Sequence, residues 1–314
     1  MQTMRFDGQV AIVTGAGGGL GRVYAELLAA RGAKVLVNDL GGNFEGNGAD
    51  AGYAATVAVA INQAGGVAAA NGESVASPAG AQAIVADALA RWGRVDILIN
   101  NAGIVSGHDT IDEITDEQWA KDMGVSASGT FHMCRAVWLG MRERGYGRII
   151  NIASGSFFGM GSGVPYPAAK GAVWAMSRGL ASAARVSGLD MKVNVVMPIA
   201  ASRMTALMGE AIETVMSRDF PAAAVAPVVA LLAHAQAPCN GEMFSVGGGG
   251  FARVFAGVTK GYRGTDKNWS MEDALTQFGM AMGTDGFFIP EDSMIEAAAY
   301  ESDVPWDAFR AFIR

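Results

Sequence analysis

Two side chains four residues apart can together perform acid–base chemistry. Tyr166 and Lys170 form a Tyr-x-x-x-Lys pattern, and on a helix this spacing puts both side chains on one face. A free tyrosine has a pKa near ~10, but a neighbouring ammonium favours the phenolate and lowers that pKa. The pair therefore predicts that Tyr166 is a general base or acid tuned by Lys170. The same spacing is also typical of ordinary surface patterning.

A hydroxyl precedes this pair at the end of a predicted strand. Ser154 closes the run Asn-Ile-Ala-Ser at 151–154, twelve residues before Tyr166. We expect its hydroxyl to lie at the same edge of the sheet and to hold a substrate oxygen. Ser156 is a rival for that role, and a serine at this point is also a common cap of the next turn.

A glycine-rich turn follows the first apolar run. Residues 14–21 read TGAGGGLG and lead into the helix-forming segment 22–30. Glycines let the backbone turn sharply and approach a pyrophosphate, whose charge the helix N-terminus favours. The turn predicts a dinucleotide site, although a flexible connection between two ordinary elements has the same pattern. The predicted contacts are Gly15, Gly19, Leu20 and Gly21.

A carboxylate stands where a ribose ligand is expected. Asp39 ends the second apolar run, within the ~30-residue span of a first βαβ unit. Its oxygens would accept hydrogen bonds from both ribose hydroxyls and repel a 2′-phosphate, which favours NAD over NADP. No Lys or Arg within the glycine turn offsets that repulsion. Alternatively, Asp39 is a solvated acid at a strand end.

Alternating strands and helices must position these groups. Apolar runs recur at 67–70, 97–100, 148–153, 192–197 and 243–246, each separated by a helix-length segment. The pattern predicts an α/β fold, a single Rossmann-type doubly wound domain whose seven-stranded parallel sheet binds ligands beyond the strand C-termini. We expect the sheet to end at Gly247. Residues 1–250 would form the NAD-binding catalytic domain.

Two further segments lie outside this alternation. Residues 41–52 carry five glycines and predict a long loop that folds over the adenosine. Residues 251–314 predict a C-terminal helical extension that packs on the domain or on a neighbouring subunit. Two apolar stripes at helical spacing lie in this segment. The first follows a capping box at Ser270 and consists of Met271, Leu275, Phe278 and Met282. The second consists of Trp306, Phe309 and Ile313.

Composition excludes several classes of function. A net charge of −7 and a pI near 5.0, without a Lys/Arg cluster, disfavour nucleic acid and anionic membranes as partners. Two isolated cysteines and three histidines without ligand spacing predict no metal. No apolar run reaches the ~20 residues of a membrane span. The first residues lack a secretory signal, so we expect a cytoplasmic protein.

The motifs together resemble the short-chain dehydrogenase/reductase family over roughly residues 6–250. This resemblance implies a nicotinamide-dependent oxidoreductase that uses no metal and forms a homodimer or homotetramer. In the family's order, the motifs are Thr14-Gly15-x-x-x-Gly19-x-Gly21, Asn100-Asn101-Ala102-Gly103, Ser154, Tyr166-x-x-x-Lys170, and Val193-Asn194 ahead of Pro198.

A narrower likeness lies in three further segments. The runs Asn-Asp-Leu-Gly-Gly at 38–42 and Ser-Arg-Met-Thr at 202–205, with the extra tail, resemble the D-3-hydroxyacyl-CoA dehydrogenase branch. That branch includes enzymes described as 17β-hydroxysteroid dehydrogenases of type 4. The likeness implies acyl-CoA thioesters or steroids as substrates.

The resemblance also implies roles for individual residues. Tyr166 would take the proton of a secondary alcohol as hydride leaves the same carbon, and Ser154 would orient the oxygen. Lys170 would bind the nicotinamide ribose. The remaining implied cofactor contacts are Asp39, Ser74, Val75, Asn101, Gly103, Pro198 and Ile199.

This sequence departs from the family pattern at two catalytic positions. Ser126 stands where many members have an asparagine that completes a water relay to the lysine, and a serine would still hold that water. The interval from Ser154 to Tyr166 is one residue shorter than usual, which leaves the choice between Ser154 and Ser156 open.

Apolar side chains near these motifs suggest the substrate. Methionine-rich lids suit bulky apolar ligands, although core packing explains the same residues. We therefore expect NAD-dependent oxidation of a hydroxysteroid or a 3-hydroxyacyl-CoA. The alternatives are an NADPH-dependent 3-ketoacyl reductase and a non-catalytic dinucleotide-binding partner protein. The side chains concerned are Phe157, Phe158, Met160, Met204, Leu207, Met208 and Met216.

Overall fold

The apolar runs form the strands of one central sheet. The computed structural model describes residues 3–107, 109–202, 209–264 and 269–298. By its internal contacts the chain divides into two units, Met1–Arg253 and Val254–Arg314. The strands of the sheet are β1 (Val10–Thr14), β2 (Lys34–Asn38), β3 (Val67–Asn71), β4 (Ile97–Asn100), β5 (Tyr146–Ile152), β6 (Asp190–Ile199), β7 (Met243–Gly247) and β8 (Gly250–Val254).

The strand order is β3-β2-β1-β4-β5-β6-β7-β8, and β1 to β7 pair in parallel. The direction of growth reverses between β1 and β4, which is the switch point where open α/β sheets bind ligands. The predicted Rossmann-type, doubly wound sheet is confirmed. One detail is wrong: the sheet does not end at Gly247. The chain turns through Gly248 and Gly249, both at positive φ, and adds β8 at the edge.

Helices cover both faces of the sheet, because successive residues of each strand point to opposite sides. Ala11 and Val13 of β1 pack in one apolar core, whereas Val10 and Ile12 pack in the other. The helices are α1 (Gly19–Ala30), α2 (Gly52–Gln63), α3 (Pro78–Trp92), α4 (Asp116–Asp122), α5 (Gly129–Arg144), α6 (Pro165–Ser187), α7 (Glu210–Asp219), α8 (Ala226–Ala233), α9 (Met271–Met282) and α10 (Ser293–Ala298).

A π-helical turn, Met123–Ser128, connects α4 to α5. Thr115 and Gln118 form a capping box at the start of α4, and Gly145 ends α5 in the left-handed conformation. Single π-helical turns inside longer helices are rare and frequently mark functional sites. Ser126 lies within this turn and is buried.

In the described residues of the second unit, a small antiparallel pair is accompanied by helices α9 and α10. Strand β9 (Val258–Thr259) pairs with β10 (Phe287–Phe288), and the Thr259 hydroxyl donates to the Ala281 carbonyl of α9. Ser270 and Asp273 form the predicted capping box of α9. The predicted stripe of Trp306, Phe309 and Ile313 lies outside the described residues.

One stretch, Glu210–Ala233, is long and apolar enough to suggest a membrane span by length and composition alone. In the structure it is not one helix, because α7 ends at Asp219 and Pro221 follows. Helix α8 buries Val229 and Leu232 in the core. Among the described residues, no other helix meets the length and hydropathy criteria, and no group of three His, Cys, Asp or Glu side chains is arranged to hold a metal ion.

Candidate active site

The C-terminal ends of the parallel strands bring the predicted residues to one edge of the sheet. Thr14 ends β1, Asn101 follows β4, Ser154 follows β5 and Ile199 ends β6. Asp39 follows β2 directly. Groups that are far apart in sequence therefore line a single crevice at the switch point.

The glycine turn leaves open space at the N-terminus of α1. Gly15 and Gly19 adopt positive φ angles of 62° and 51°. Gly18 is the N-cap and provides no side-chain cap, and a Cβ placed on Gly18 or Gly19 would meet nothing within 4 Å. Uncapped amides at a helix start form a site for an anion. This cradle fits the pyrophosphate of a dinucleotide.

Asn101 holds this turn in place from the neighbouring strand. Its side-chain amide donates to the carbonyls of Thr14 (3.0 Å) and Gly15 (2.9 Å). The Thr14 hydroxyl in turn accepts from the Asn101 and Ala102 amides, each at 3.1 Å. The side-chain nitrogen of Asn101 thus positions the turn. Thr14 belongs to the site although the sequence interpretation gave it no role.

The Asp39 carboxylate is fixed by two backbone amides. Gly17 donates to Oδ2 and Gly41 donates to Oδ1, both at 2.7 Å. A Cβ on Gly17 would lie 2.8 Å from Oδ2 of Asp39 and 2.7 Å from Cβ of Tyr53. Glycine at position 17 is therefore required for this contact. The arrangement brings a negative charge against the turn, where the adenine ribose of a bound dinucleotide would lie.

The glycine-rich segment 40–51 bridges two strand ends. Asp39 anchors its beginning after β2, and the Val105 amide after β4 donates to the Phe44 carbonyl at 3.1 Å. Lys121 also donates to Asn47 Oδ1 at 2.6 Å. Strand β1 lies between β2 and β4. The segment therefore crosses the end of β1 beside the glycine turn, as a loop over the adenosine side requires.

Tyr166 and Lys170 lie in the first turns of α6 and are both buried. The Lys170 ammonium lies 5.6 Å from the centroid of the Tyr166 ring and donates to the Ile152 carbonyl at 2.8 Å. The predicted pairing on one helix face is present. The helix presents both groups to the end of β5.

Burial decides the protonation of this pair. It raises the pKa of Tyr166, opposed by a hydrogen bond with Ser154 and assisted by the charge of Asp122. Burial lowers the pKa of Lys170 to about 8, and Asp122 opposes this shift. The pKa of Tyr166 therefore lies above its ordinary value, whereas the sequence predicted that Lys170 would lower it. Loss of water around the phenol is the largest cause of the rise.

Of the two candidate serines, Ser154 is the partner of Tyr166. Ser154 begins a 3₁₀ turn, Gly155–Phe158, and its hydroxyl accepts the Ser156 amide at 3.2 Å. The Ser156 hydroxyl is buried without a hydrogen-bond partner in the described part of the chain. Ser154 thus caps the turn, which the sequence offered as one alternative, and also acts on the pKa of Tyr166.

Ser126 lies inside the protein beside Lys170. Its hydroxyl is fully buried and has no hydrogen-bond partner among the residues described, while its carbonyl accepts from the Thr130 hydroxyl at 2.7 Å. A Cβ on Gly103 would lie 3.3 Å from Lys170 Nζ and 3.5 Å from Ser126 Oγ. The π-helical turn and a glycine together bring the serine and the lysine close.

The remaining predicted contacts surround the crevice. Leu20 and Gly21 lie in the first turn of α1, Ser74 and Val75 follow β3, and Pro198 and Ile199 end β6. Phe157 packs against Phe158 and Trp174. Met204, Leu207 and Met208 lie outside the described residues, whereas Met216 lies on α7.

A second group that the sequence interpretation missed is the carboxylate of Asp122, which is buried within reach of the catalytic pair. The sequence feature that could have identified it is an acidic residue four positions before Ser126, a spacing that puts both residues on one helix face. A third is the buried chain in which Asn100 donates to Asn151 at 2.9 Å and Asn151 donates to Ser177 at 2.8 Å. This chain ties β4, β5 and α6 together behind the site.

Comparison with known proteins identifies the class. The family described as short chain dehydrogenase matches residues 9–214, and the chain belongs to this family. It is an oxidoreductase of that class, whose members bind a nicotinamide dinucleotide.

Individual relatives are similar over most of the chain. The peroxisomal multifunctional enzyme type 2 of mouse is 40% identical over 256 residues, covering 80% of this chain and 33% of the relative. The 3-oxoacyl-(acyl-carrier-protein) reductase of Escherichia coli is 37% identical over 200 residues, covering 62% and 74%. A short chain dehydrogenase from Mycobacterium avium aligns with a TM-score of 0.73 and 32% identity, covering 88% and 96%. The chain spans about a third of the mouse relative.

Proposed function

We propose that this protein oxidises a secondary alcohol to a ketone with NAD, on a bulky apolar substrate such as a 3-hydroxyacyl-CoA or a hydroxysteroid. One observation carries the proposal: the buried Tyr166 lies near enough to Ser154 for that hydroxyl to lower its pKa, and its ring lies 5.6 Å from the Lys170 ammonium, at the strand ends that hold the glycine turn. Bound NAD would supply the hydride acceptor. The chain's own residues would orient the alcohol, accept its proton and hold the cofactor.

Each residue has a defined task in this reaction. Ser154 orients the alcohol oxygen, and Tyr166 accepts the alcohol proton. Lys170 holds the nicotinamide ribose and supplies positive charge near the phenol. Ser126 holds a water or the ammonium itself in place of the family's asparagine. The cofactor is held by the glycine turn, by Asp39, and by Ser74, Val75, Gly103, Pro198 and Ile199.

Asp39 supports NAD as the cofactor. Its carboxylate accepts two backbone hydrogen bonds and therefore cannot easily turn away from an incoming 2′-phosphate. Like charges held this close repel strongly in a partly buried site. The cluster of Phe157, Phe158 and Trp174, which follows Ser154 in the chain and packs on α6, supports an apolar substrate.

A second candidate is reduction of a 3-ketoacyl substrate. The buried Tyr166, whose pKa is raised, is a proton donor at neutral pH, as reduction requires. The E. coli relative is also named a reductase. We place the oxidative reaction first because Asp39 disfavours NADPH.

We propose that the protein is cytoplasmic, whereas the mouse relative is named peroxisomal. We also propose that it forms a homodimer or a homotetramer. Fractionation of the native host and light scattering of the purified protein test these two points.

The decisive test is the Tyr166→Phe variant. It keeps the ring and removes the hydroxyl, so NADH formation from a panel of secondary alcohols should fall at least a thousandfold while NAD still binds. The matched control is Tyr146→Phe, which removes a hydroxyl bonded to Gln9 at the opposite end of β5 and should stay active. Turnover by Tyr166→Phe would refute the proposed mechanism. No turnover by the wild type on any alcohol or ketone would favour a non-catalytic dinucleotide-binding protein.

A further inference from the structure

Asp122 is a buried carboxylate to which the proposed reaction assigns no task. It ends α4 directly before the π-helical turn and is 1% exposed. Its Oδ1 accepts the Ser106 amide at 2.8 Å. An ionised carboxylate at this depth is costly unless hydrogen bonds and a nearby cation compensate it. The Ser106 amide supplies one part of that compensation.

Helix geometry relates Asp122 to Ser126, which lies near the lysine. Ser126 follows four residues later, about one turn along the chain. Its hydroxyl and the Lys170 ammonium both approach the Cβ position of Gly103. Ser106, which holds Asp122, lies three residues after Gly103. The carboxylate, the serine and the ammonium therefore gather around one short segment, 103–106.

The charge of Asp122 acts on both members of the catalytic pair. It raises the pKa of Lys170 against the lowering effect of burial, and it raises the pKa of Tyr166. Two other charged side chains in the described part of this region have partners elsewhere. Asp109 accepts from Gln118 at 2.6 Å, and Lys121 donates to Asn47 at 2.6 Å.

We propose that Asp122 is a positioning residue that acts through Lys170: its carboxylate, anchored on the Ser106 amide, is the counter-charge that keeps the buried ammonium protonated and in place. Ser126 lies on the polar path between the two. The effect on turnover rests on the proposed dehydrogenase function, whereas the effect on Lys170 does not.

The test is Asp122→Asn, which keeps the size and an acceptor for the Ser106 amide but removes the charge. Lys170 is titrated directly by NMR after ¹³C labelling of lysine, and Lys170→Met identifies its signal. We expect the titration midpoint of Lys170 to move to lower pH in Asp122→Asn. Asp122→Glu should restore it, and Asp109→Asn should leave it at the wild-type value. Asp122→Ser is a second uncharged variant should Asp122→Asn fold poorly.

Kinetics provide the second measurement. In wild type, the limbs of the pH profile of kcat/KM report Tyr166 and Lys170. Because the carboxylate raises both pKa values, Asp122→Asn should shift both limbs toward lower pH.

An unchanged Lys170 midpoint in both uncharged variants would overturn the proposal and leave Asp122 as a structural anchor of segment 103–106. If the wild type oxidises no alcohol, the kinetic measurement fails together with the proposed function. The NMR titration still decides the role of Asp122 in that case.

Discussion

The Lys170 ammonium lies 5.6 Å from the centroid of the Tyr166 ring, and its 2.8 Å hydrogen bond goes to the Ile152 carbonyl at the end of β5. The lysine is thus tied to the strand that also leads to Ser154. Helix α6 and strand β5 together fix the catalytic pair.

Burial of Lys170 should reduce the stability of the protein. With its pKa lowered to about 8 in the folded state, the lysine binds fewer protons when folded than when unfolded between pH 8 and its ordinary pKa. Wild-type stability should therefore rise with pH across that window. Below pH 8 the folded state must bury the charge, at a cost of roughly 3 kcal/mol.

Lys170→Met should remove this pH dependence, because the variant has no ammonium to titrate at this position. We expect its free energy of unfolding to lack the rise that wild type shows between pH 8 and the ordinary lysine pKa. Denaturant unfolding at several pH values measures it. Lys192→Met, which loses a bond to the Ala237 carbonyl at a partly exposed position, is the control. A Lys170→Met protein whose free energy of unfolding rises across that pH window as much as that of wild type contradicts the argument.

Ser154 and Ser156 should differ sharply on substitution. Ser154→Ala removes the hydroxyl that is bonded to Tyr166, so kcat should fall about a hundredfold, as for loss of one oriented donor. Ser156→Ala removes a buried hydroxyl without a described partner. It should leave kcat within about threefold and raise the free energy of unfolding by about 1 kcal/mol. Steady-state kinetics measure kcat, and denaturant unfolding measures stability. A lower kcat in Ser156→Ala than in Ser154→Ala would assign the catalytic role to Ser156.

Asp39→Asn should relax the choice of cofactor. The substitution keeps the side-chain size and an acceptor for the glycine turn, but it removes the charge that repels a 2′-phosphate. We expect the ratio of kcat/KM for NADP to that for NAD to rise at least tenfold, or about 1.4 kcal/mol. The control is Asp50→Asn, whose carboxylate caps Gly52 at the far end of the same segment. An unchanged ratio would show that another group excludes the phosphate.

Gly18→Ala should separate folding from dinucleotide binding. Gly18 has extended φ and ψ angles that any residue adopts, and its Cβ would meet nothing within 4 Å. The free energy of unfolding should stay within about 0.5 kcal/mol of wild type. The new methyl group would fill the phosphate cradle, so the Kd for NAD, measured by calorimetry, should rise at least tenfold.

Gly179→Ala is the matched control for this prediction. Its Cβ also meets nothing within 4 Å, but the position lies inside α6. The substitution should raise stability by about 0.5–1 kcal/mol through helix propensity and leave the Kd for NAD unchanged. Wild-type affinity in Gly18→Ala would mean that the dinucleotide does not use the start of α1.

The sequence by itself determined the features that depend on local pattern. Apolar runs separated by helix-length segments predicted the seven parallel strands, because a strand buried on both faces has no polar alternation. The glycine turn, Asp39 and the Tyr-x-x-x-Lys pair were also predicted from local spacing. The glycines lie within one turn, Asp39 lies within the first βαβ unit, and the tyrosine and lysine lie on one helix face. The eighth strand was missed because its residues carry no comparable apolar run.

Only the tertiary structure decided which groups lose water and which atoms meet. The pKa of Tyr166 moves upward because helix α6 is buried against the sheet, a fact that the pair's spacing does not contain. The amide of Asn101 turns toward the glycine turn, and the π-helical turn brings Ser126 beside Lys170. In the sequence, Asp122 is one more acidic residue on a helix. Only the packing of the folded chain shows that it is buried. Burial and long-range contact depend on which surfaces come together, and a local pattern does not fix that.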